Sequence, residues 1–375
     1  MKIAELKKIV ISQPENIEAH QDLVACYLED GNRHEAIQCL QEIIKRWPSY
    51  INAYSMLGSL YLKQADWPNA GNMFMHITRL SPDRVRAWVS LAFIFDKLNN
   101  YEEAIKCCQK ALLLKADSEK AHNILAFSLL KSGRHEKAKL AMEKLISLFP
   151  DSVEAKYILA AFSKDKQPEK SPEDYIKGVF DNYADNFENN LINTLKYNVP
   201  ELLNNSLRKS LPEESPKLRI VDLGCGTGLM GEKLKDVSSH MTGVDLSEKM
   251  LARAEEKRIY DSLINEDVLK AISEDNDNYD LIVATDVFIY IGDLSAMFEK
   301  IYKSMRKGGL FGFSIELTDC RSGYLLQHTG RYAQSIEYIN ELAMKNQFII
   351  CLSEKIVVRL EQEKPIEGYI FILKK

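Results

Sequence analysis

The hydrophobic and polar positions of the first 160 residues repeat every 34 residues. Proline or alanine, alanine, leucine and a large apolar residue each return at this step. The matching positions are Pro14, Pro48, Pro82, Ala116 and Pro150; Ala19, Ala53, Ala87, Ala121 and Ala155; Leu23, Leu57, Leu91, Leu125 and Leu159; Tyr27, Tyr61, Phe95 and Leu129; Ala36, Ala70, Ala104 and Ala138. Small residues let paired helices approach closely and proline ends a helix, so the pattern predicts stacked helical hairpins.

We expect four complete hairpins, at 17–50, 51–84, 85–118 and 119–152. Residues 1–13 fit half a hairpin, and 153–163 fit a closing helix. The predicted helical array therefore covers 1–163. Residues 164–173 carry charges and two prolines, which is typical of a linker. A helical period then predicts a cap at 174–210 that introduces a second domain, 174–375.

From Arg219 the pattern alternates between strands and helices. The predicted strands are 218–223, 240–245, 261–266, 279–285, 309–316, 348–358 and 366–373. The predicted helices are 228–236, 247–257, 293–306 and 335–346. Alternating strands and helices indicate a mostly parallel sheet covered on both faces. The last two strands are separated by a short turn, so they form a hairpin that makes the final strand antiparallel.

The richest candidate chemistry is the run Val221–Gly228, in which an apolar strand ends in Asp222 and three glycines alternate. A glycine loop between a strand and a helix presents backbone N–H groups to an anionic ligand group. Asp245 ends the next strand, at a distance that suits the hydroxyls of a ribose. Leu229 stands where a dinucleotide fingerprint requires its third glycine. The alternative is a strand–helix turn that only needs flexible residues.

This loop resembles the S-adenosylmethionine loop of class I methyltransferases, and the 34-residue period resembles the tetratricopeptide repeat. Together they resemble a group of predicted methyltransferases with N-terminal tetratricopeptide repeats. The resemblance implies an α plus α/β fold. A tetratricopeptide α-solenoid would precede a Rossmann-like class I methyltransferase domain, whose seven-stranded sheet has an antiparallel last strand.

The same resemblance implies a set of residues around S-adenosylmethionine. The implied cofactor residues are Tyr183, Asp222, Gly224, Cys225, Gly226, Asp245, Leu246, Asp267, Val268 and Thr285. Asp222 would approach the methionyl ammonium, Asp245 the ribose, Leu246 the adenine ring and Asp267 the adenine amino group. Asp267 as an ordinary loop residue and Tyr183 as a packing residue are the alternatives.

Candidate catalytic residues must lie near the carboxyl ends of the strands, where an open α/β sheet forms its crevice. Asp286 follows the fourth strand, and the long insert 317–334 contains His328, Arg331 and Tyr332. We expect the insert to cover the acceptor site. The alternatives are an ordinary loop role for Asp286, a surface role for His328, and an ion pair with Glu316 or Asp319 for Arg331. No metal site is expected, since the histidines are scattered.

The repeats predict a partner protein or peptide on their concave face. Lys63, Lys97 and Lys131 lie 34 residues apart and form a ladder that could hold an acidic group. The alternative is a solvated helix edge that binds nothing. The oligomeric state stays open.

Net charge of −5 argues against a nucleic-acid partner, and the absence of a long apolar run argues against a membrane span. Seven cysteines without a C-x-x-C pair suggest a reducing, cytoplasmic setting. The sequence thus predicts an S-adenosylmethionine-dependent methyltransferase whose repeats recruit or orient an unidentified acceptor, either a protein or a carrier-bound or small molecule. The alternative is a repeat adaptor with an inactive or cofactor-sensing methyltransferase-like domain. A dinucleotide-dependent oxidoreductase is disfavoured by Leu229 and by the closing hairpin.

Overall fold

The computed structural model describes residues 2–163, 167–183, 188–211, 216–272, 278–320, 323–361 and 363–375. The chain divides into two compact units, Met1–Ala155 and Lys156–Lys375. Each unit is described by itself below.

The first unit is a series of helices with one hairpin per sequence period. Its helices are α1 (Lys2–Ser12), α2 (Ile17–Glu29), α3 (Arg33–Arg46), α4 (Ile51–Lys63), α5 (Trp67–Leu80), α6 (Val85–Lys97), α7 (Tyr101–Leu114), α8 (Glu119–Lys131) and α9 (His135–Leu148). A further helix, α10 (Val153–Ala160), begins in the first unit and ends in the second. The turn inside each hairpin contains one residue with positive φ. These turn residues are Gly31, Ala65, Asn99 and Gly133.

A repeated hydrogen bond ties each hairpin to the turn before it. A ring nitrogen or phenolic hydroxyl on the first helix is hydrogen-bonded to the backbone carbonyl six residues earlier in the chain. The ring residues are His20, Tyr54, Trp88 and His122, and their carbonyl partners are Pro14, Pro48, Pro82 and Ala116. His20 and His122 therefore have a packing and hydrogen-bonding role within the repeats.

Among the described residues, the second unit contains nine strands, of which seven form one main sheet. Its strands are β1 (Leu218–Leu223), β2 (Ser238–Asp245), β3 (Ser262–Asn265), β4 (Tyr279–Ala284), β5 (Met305–Glu316), β6 (Tyr324–Leu326), β7 (Tyr332–Gln334), β8 (Ile349–Glu361) and β9 (Lys364–Lys374). The order in the main sheet is β3-β2-β1-β4-β5-β9-β8, while β6 and β7 pair separately inside the predicted insert. Strands β1 to β5 run parallel, and β9 is antiparallel to both neighbours. The predicted fold class is confirmed.

Helices cover both faces of this sheet and enclose an apolar core on each. They are α11 (Glu173–Tyr183), a π-helix (Asn189–Thr194), α12 (Val199–Ser210), α13 (Leu229–Leu234), α14 (Glu248–Glu256), α15 (Val268–Ala271), α16 (Ser295–Ser304) and α17 (Ile336–Lys345). One core includes Phe288, Phe298 and Phe311, and the other includes Leu203 and Ile220. Because the strands are parallel, the residues after β1, β2 and β4 meet at one edge of the sheet.

Residues 156–163, which the repeat pattern groups with the helical array, fall in the second unit. The described part of the predicted linker is hydrogen-bonded to that unit as well. Lys170 forms a β-bridge with Ile291, and the Ser171 N–H donates to the carbonyl of Tyr290. A composition rich in proline and charge does not by itself mean a free linker, because proline and extended residues also suit an edge that pairs with a loop.

Candidate active site

The glycine loop follows β1 as the sequence predicts. Gly224, Gly226 and Gly228 have φ of 64°, 54° and 92°, which favour glycine over any residue with a Cβ. A Cβ on Gly224 would lie 2.5 Å from Cγ2 of Val287, whereas one on Gly226 would meet none of the described residues within 4 Å. Within this part of the chain, Val287 covers the loop at Gly224, and the backbone at Gly226 is open to a ligand.

Asp245 at the end of β2 fixes this loop. Its Oδ2 accepts from the Gly226 N–H at 2.9 Å, and its Oδ1 accepts from the Ser247 N–H at 2.8 Å. Burial raises the pKa of this carboxyl above its ordinary value. Each carboxylate oxygen has a further lone pair, so Asp245 can still accept from hydroxyl groups of a ligand.

Asp222 lies beneath the loop and is fully buried. Its Oδ2 accepts from the Tyr260 hydroxyl at 2.6 Å, while its Oδ1 has no hydrogen-bond partner among the described residues. Burial raises the pKa of Asp222 to about 7. A buried carboxyl with an unsatisfied oxygen is costly unless a donor or a cation is supplied.

Tyr260 was not predicted from the sequence as a site residue. Its side chain packs against two glycines, Gly231 on α13 and Gly243 on β2. A Cβ on Gly231 would clash with the Tyr260 hydroxyl, and one on Gly243 would lie 3.1 Å from the ring and closer still to Leu263 and Cys225. The usable signal was the pair of glycines inside a helix and a strand, since such glycines often mark the close approach of another group.

The other residues predicted to contact the adenosine already have partners within the protein. Asp267 is the N-cap of α15, where its Oδ1 accepts from the N–H groups of Leu269 and Lys270. Val268 packs into the core. The Leu246 carbonyl accepts from the Asn265 side chain at 3.0 Å. The side chain of Tyr183 lies outside the described residues, so its predicted role stays a prediction.

Asp286 follows β4 and has φ of 59°, a left-handed conformation that is uncommon for a residue other than glycine. Its N–H donates to the Ser314 hydroxyl at 2.9 Å. Strain of this kind often occurs at functional sites because the surrounding structure must enforce it. The side chain is 20% exposed, which leaves the carboxyl within reach of a ligand.

A buried ion cluster surrounds Asp286. Arg359 on β8 bonds Glu316 on β5 at 2.5 Å, and its Nη1 lies 3.6 Å from Oδ2 of Asp286. Arg331 lies 3.5 Å from Glu361. Burial raises the pKa of Asp286 to about 6, against the lowering effect of the Arg359 charge.

The sequence analysis did not predict Arg359 or Glu361 as site residues, and it considered Glu316 only as an ion-pair partner for Arg331. No local motif marks Arg359 and Glu361, since both come from the closing hairpin. The only signal was the charged residue Arg359 within an otherwise apolar strand segment, which requires a buried partner.

The other insert residues have defined partners. Tyr332 is fully buried, and its hydroxyl donates to the carbonyl of Pro168 at 2.6 Å. The His328 ring stacks on Phe162, with ring centroids 4.3 Å apart. The Thr285 side chain lies close to the buried Tyr197 hydroxyl. Of the four predicted catalytic residues, the structure groups Asp286 and Arg331 in one cluster, while Tyr332 contacts Pro168 and His328 contacts Phe162.

Among the described residues, no group of three or more histidine, cysteine, aspartate or glutamate side chains has the arrangement of a metal site. In the same part of the chain, none of the helices combines the length and the apolar character that crossing a bilayer requires.

Family models match both parts of the chain. Residues 221–311 match a methyltransferase domain, and residues 21–50, 85–118 and 124–152 match tetratricopeptide repeats. A malonyl-[acyl-carrier protein] O-methyltransferase of Bacillus cytotoxicus is 33% identical over 124 residues, which are 31% of this chain and 43% of that protein. The mitochondrial ubiquinone biosynthesis O-methyltransferase of Mus musculus is 23% identical over 141 residues, 35% of this chain and 38% of that protein. The chain thus spans less than half the length of these curated relatives.

Solved structures resemble one part of the chain or the other. An S-adenosylmethionine-dependent methyltransferase from Mesorhizobium loti is 22% identical, covers 46% of this chain and 96% of its own, and has a TM-score of 0.37. A MamA protein is 21% identical, covers 41% of this chain and 84% of its own, and has a TM-score of 0.36. The family-model matches confirm the prediction that tetratricopeptide repeats precede a methyltransferase domain in this chain.

Proposed function

We propose that this protein is an S-adenosylmethionine-dependent methyltransferase whose cofactor lies at the glycine loop. The observation that carries the proposal is the loop Gly224–Gly228, which is open at Gly226 and fixed by Asp245. When bound, S-adenosylmethionine supplies a methyl group that is already activated by its sulfonium. The residues present fit this cofactor, since Asp222 has an unsatisfied buried oxygen and Asp245 retains free lone pairs.

On the acceptor side, we propose that Asp286 takes a proton from the acceptor. Burial raises the pKa of Asp286 to about 6, so the carboxylate is mostly ionised at neutral pH yet more basic than an ordinary aspartate. Arg359, held against Glu316, fixes the position of this carboxylate. The protein otherwise contributes proximity and alignment of the two reactants.

The charge balance of the cluster favours an acceptor that still carries its proton. Among the described residues, Arg331 and Arg359 face three carboxyl groups, those of Asp286, Glu316 and Glu361. The two guanidinium charges are therefore balanced, although Nη1 of Arg359 has no hydrogen-bond partner among the described residues. A carboxylate acceptor would add a second unmatched negative charge. A hydroxyl or amine acceptor fits better, since Asp286 can accept its proton.

The repeats are proposed to recruit or orient that acceptor, and the proposed location is the cytoplasm. The acceptor of one relative is named as an acyl-carrier protein derivative, which makes a carrier-bound substrate a reasonable class here. On the array, Lys97 lies over the Phe93 ring, and Lys131 pairs with Asp96. Because Lys131 is already paired with Asp96, the proposed binding face depends more on Lys63 and Lys97 than on all three lysines.

A labelling experiment tests the reaction and the acceptor class together. The full chain is incubated with methyl-tritiated S-adenosylmethionine and a cell extract, and the products are treated with mild alkali. Methyl esters of carboxylates release labelled methanol, whereas methyl ethers and methylamines keep their label. We expect alkali-stable label, lost in Asp286→Asn while S-adenosylhomocysteine still binds.

Alkali-labile label would contradict the protic acceptor but support the methyltransferase. Cofactor binding without transfer to any fraction would favour the alternative, a repeat adaptor with a cofactor-sensing domain. Lysine-to-glutamine changes at Lys63 and Lys97 should lower labelling of a protein acceptor if the array recruits it.

A further inference from the structure

The residues that follow the repeats pack directly on the insert of the methyltransferase unit. We call residues 156–163 and 167–172 the connecting segment. The Tyr157 hydroxyl donates to the carbonyl of Gly330 at 3.0 Å and lies 2.6 Å from the Ser171 hydroxyl. Tyr157 is 3% exposed and Ser171 is 1% exposed. These are enclosed contacts of the kind that fix geometry, because water cannot replace them.

Two more side chains join the same pieces of chain. The Gln167 amide pairs with both backbone groups of Leu326: it accepts from the N–H at 2.6 Å and donates to the carbonyl at 3.3 Å. From the other side, the Tyr332 hydroxyl donates to the Pro168 carbonyl at 2.6 Å. The Gln167 side chain therefore bonds the backbone N–H and carbonyl of Leu326 in the insert, as the backbone of a neighbouring strand would.

The segment also holds the loop that follows Asp286. The N–H groups of Gly292 and Asp293 donate to the Glu169 carbonyl at 2.7 Å and 3.0 Å, and the Ser171 N–H donates to the Tyr290 carbonyl at 2.9 Å. One short stretch of chain is thus bonded to both walls beside Asp286, the insert and the loop after β4.

Packing at Gly330 shows how close this approach is. Gly330 has φ of 78°, and a Cβ there would lie 2.8 Å from Cδ1 of Ile158 and would clash with the Tyr175 hydroxyl. The next residue, Arg331, pairs with Glu361 in the ion cluster. The position of Gly330 therefore sets where the Arg331 guanidinium can reach.

We infer that Tyr157 is a positioning residue for methyl transfer, acting through Gly330 to hold Arg331 and through Ser171 to hold the loop beside Asp286. Calling this region the acceptor side rests on the function proposed above; the positioning itself does not. Helix α10, which carries Tyr157, begins at Val153 in the first unit. Tyr157 itself and the partners named here all lie in the second unit.

Hydrogen exchange in the full chain tests this inference, and Tyr157→Phe removes the hydroxyl while keeping the ring. Tyr54→Phe is the matched control, because the Tyr54 hydroxyl also donates to a backbone carbonyl, that of Pro48 at 3.1 Å, and the residue is 5% exposed. In Tyr157→Phe we expect exchange in 323–334 and at Gly292 and Asp293 to rise about fivefold or more. In Tyr54→Phe only the repeats should change.

A second variant covers the case in which Tyr157→Phe fails to fold. Tyr332→Phe removes the bond to Pro168 from the insert side, and exchange should then rise in 167–172 as well as in 323–334. Unchanged exchange in these segments, or the same change in the Tyr54→Phe control, would overturn the inference.

A titration separates positioning from general loosening. The carboxyl carbon of Asp286, assigned with Asp286→Asn, is followed by NMR against pH without cofactor. The groups facing Asp286 are Tyr197, Tyr290, Glu316, Arg331 and Arg359. Because the Arg331 charge lowers the pKa of Asp286, a less fixed Arg331 should raise its midpoint above about 6 in Tyr157→Phe. A midpoint that does not move would contradict positioning, whatever the outcome of the methyl-transfer assay.

Discussion

The two units of this chain obtain their polar contacts in opposite ways. In the repeats, a ring on each first helix bonds a carbonyl six residues earlier, and the same bond recurs at Tyr54, Trp88 and their counterparts. In the second unit, the decisive contacts join residues far apart in the sequence, such as Tyr157 with Gly330 and Arg359 with Glu316. A local, repeated contact leaves a period in the sequence, while a distant contact leaves none.

The largest expected effect is the difference in stability between breaking a buried ion pair in the second unit and breaking a more exposed ion pair in the repeats. Arg359→Met leaves Glu316 buried without its partner, which should cost about 3–5 kcal/mol of unfolding free energy. Lys131→Met breaks the more exposed pair with Asp96 and should cost less than about 1 kcal/mol. The three tryptophans, Trp47, Trp67 and Trp88, all lie in the repeats, so their fluorescence follows the first unit.

In the same denaturant series, hydrogen exchange in β4 reports the unfolding of the second unit. Equal losses in Arg359→Met and Lys131→Met would show that the buried cluster contributes no more than a surface pair. The comparison between the units would then fail at its strongest point.

The next comparison is between alanine substitutions of two glycines with positive φ, one in each unit. Gly31→Ala lies in a turn with open space, and Ala65 occupies the equivalent turn of the next repeat, so we expect a cost of about 1 kcal/mol. Gly224→Ala adds a clash with Val287 and should cost about 2–4 kcal/mol. Calorimetry should also show weaker S-adenosylhomocysteine binding for Gly224→Ala alone. Similar stability losses in the two variants would contradict the close packing of the loop.

The difference between local and distant contacts also explains which features could be predicted from the sequence. The hairpins, the sheet with its antiparallel last strand, and the loop with Asp245 were predictable, since each depends on a local pattern. Arg359 and Tyr260 were not, because their roles come from partners that only the fold brings near. The prolines and charges of residues 164–173 predict a linker, although two of its described residues, Gln167 and Pro168, bond the insert.

The pH dependence of stability should differ between the units. The folded pKa of Asp222 is about 7, above the ordinary value of 3.8, so the folded state binds its proton more tightly than the unfolded state. Stability of the second unit should therefore fall as pH rises from about 4 to about 7, by about 4 kcal/mol at most from this group. Asp286 contributes in the same direction between about 4 and about 6.

Asp222→Asn should flatten this decline, measured by urea unfolding at pH 5 and pH 7.5 with exchange in β4 as the probe. Tryptophan fluorescence of the repeats should be the same in the variant and the original protein at both pH values. A decline of undiminished size in Asp222→Asn would assign the titration to another group.

The smallest effect concerns the repeated bond. Tyr54→Phe should cost about 0.5–1.5 kcal/mol, detected by tryptophan fluorescence in urea, because one buried hydrogen bond is lost and its partner lies in the same repeat. The second unit should keep its stability. A loss that spreads to β4 would show that the repeats are not locally stabilised.

The most direct test of the account is calorimetry of S-adenosylhomocysteine binding to the full chain and to Asp245→Ala, with NAD as the competing ligand. We expect micromolar binding, about −8 kcal/mol, and no heat with NAD. Asp245→Ala should weaken binding by about 1.5–3 kcal/mol while remaining folded. Binding of NAD instead, or unchanged affinity in the folded variant, would contradict the assignment of the glycine loop and Asp245 to S-adenosylmethionine.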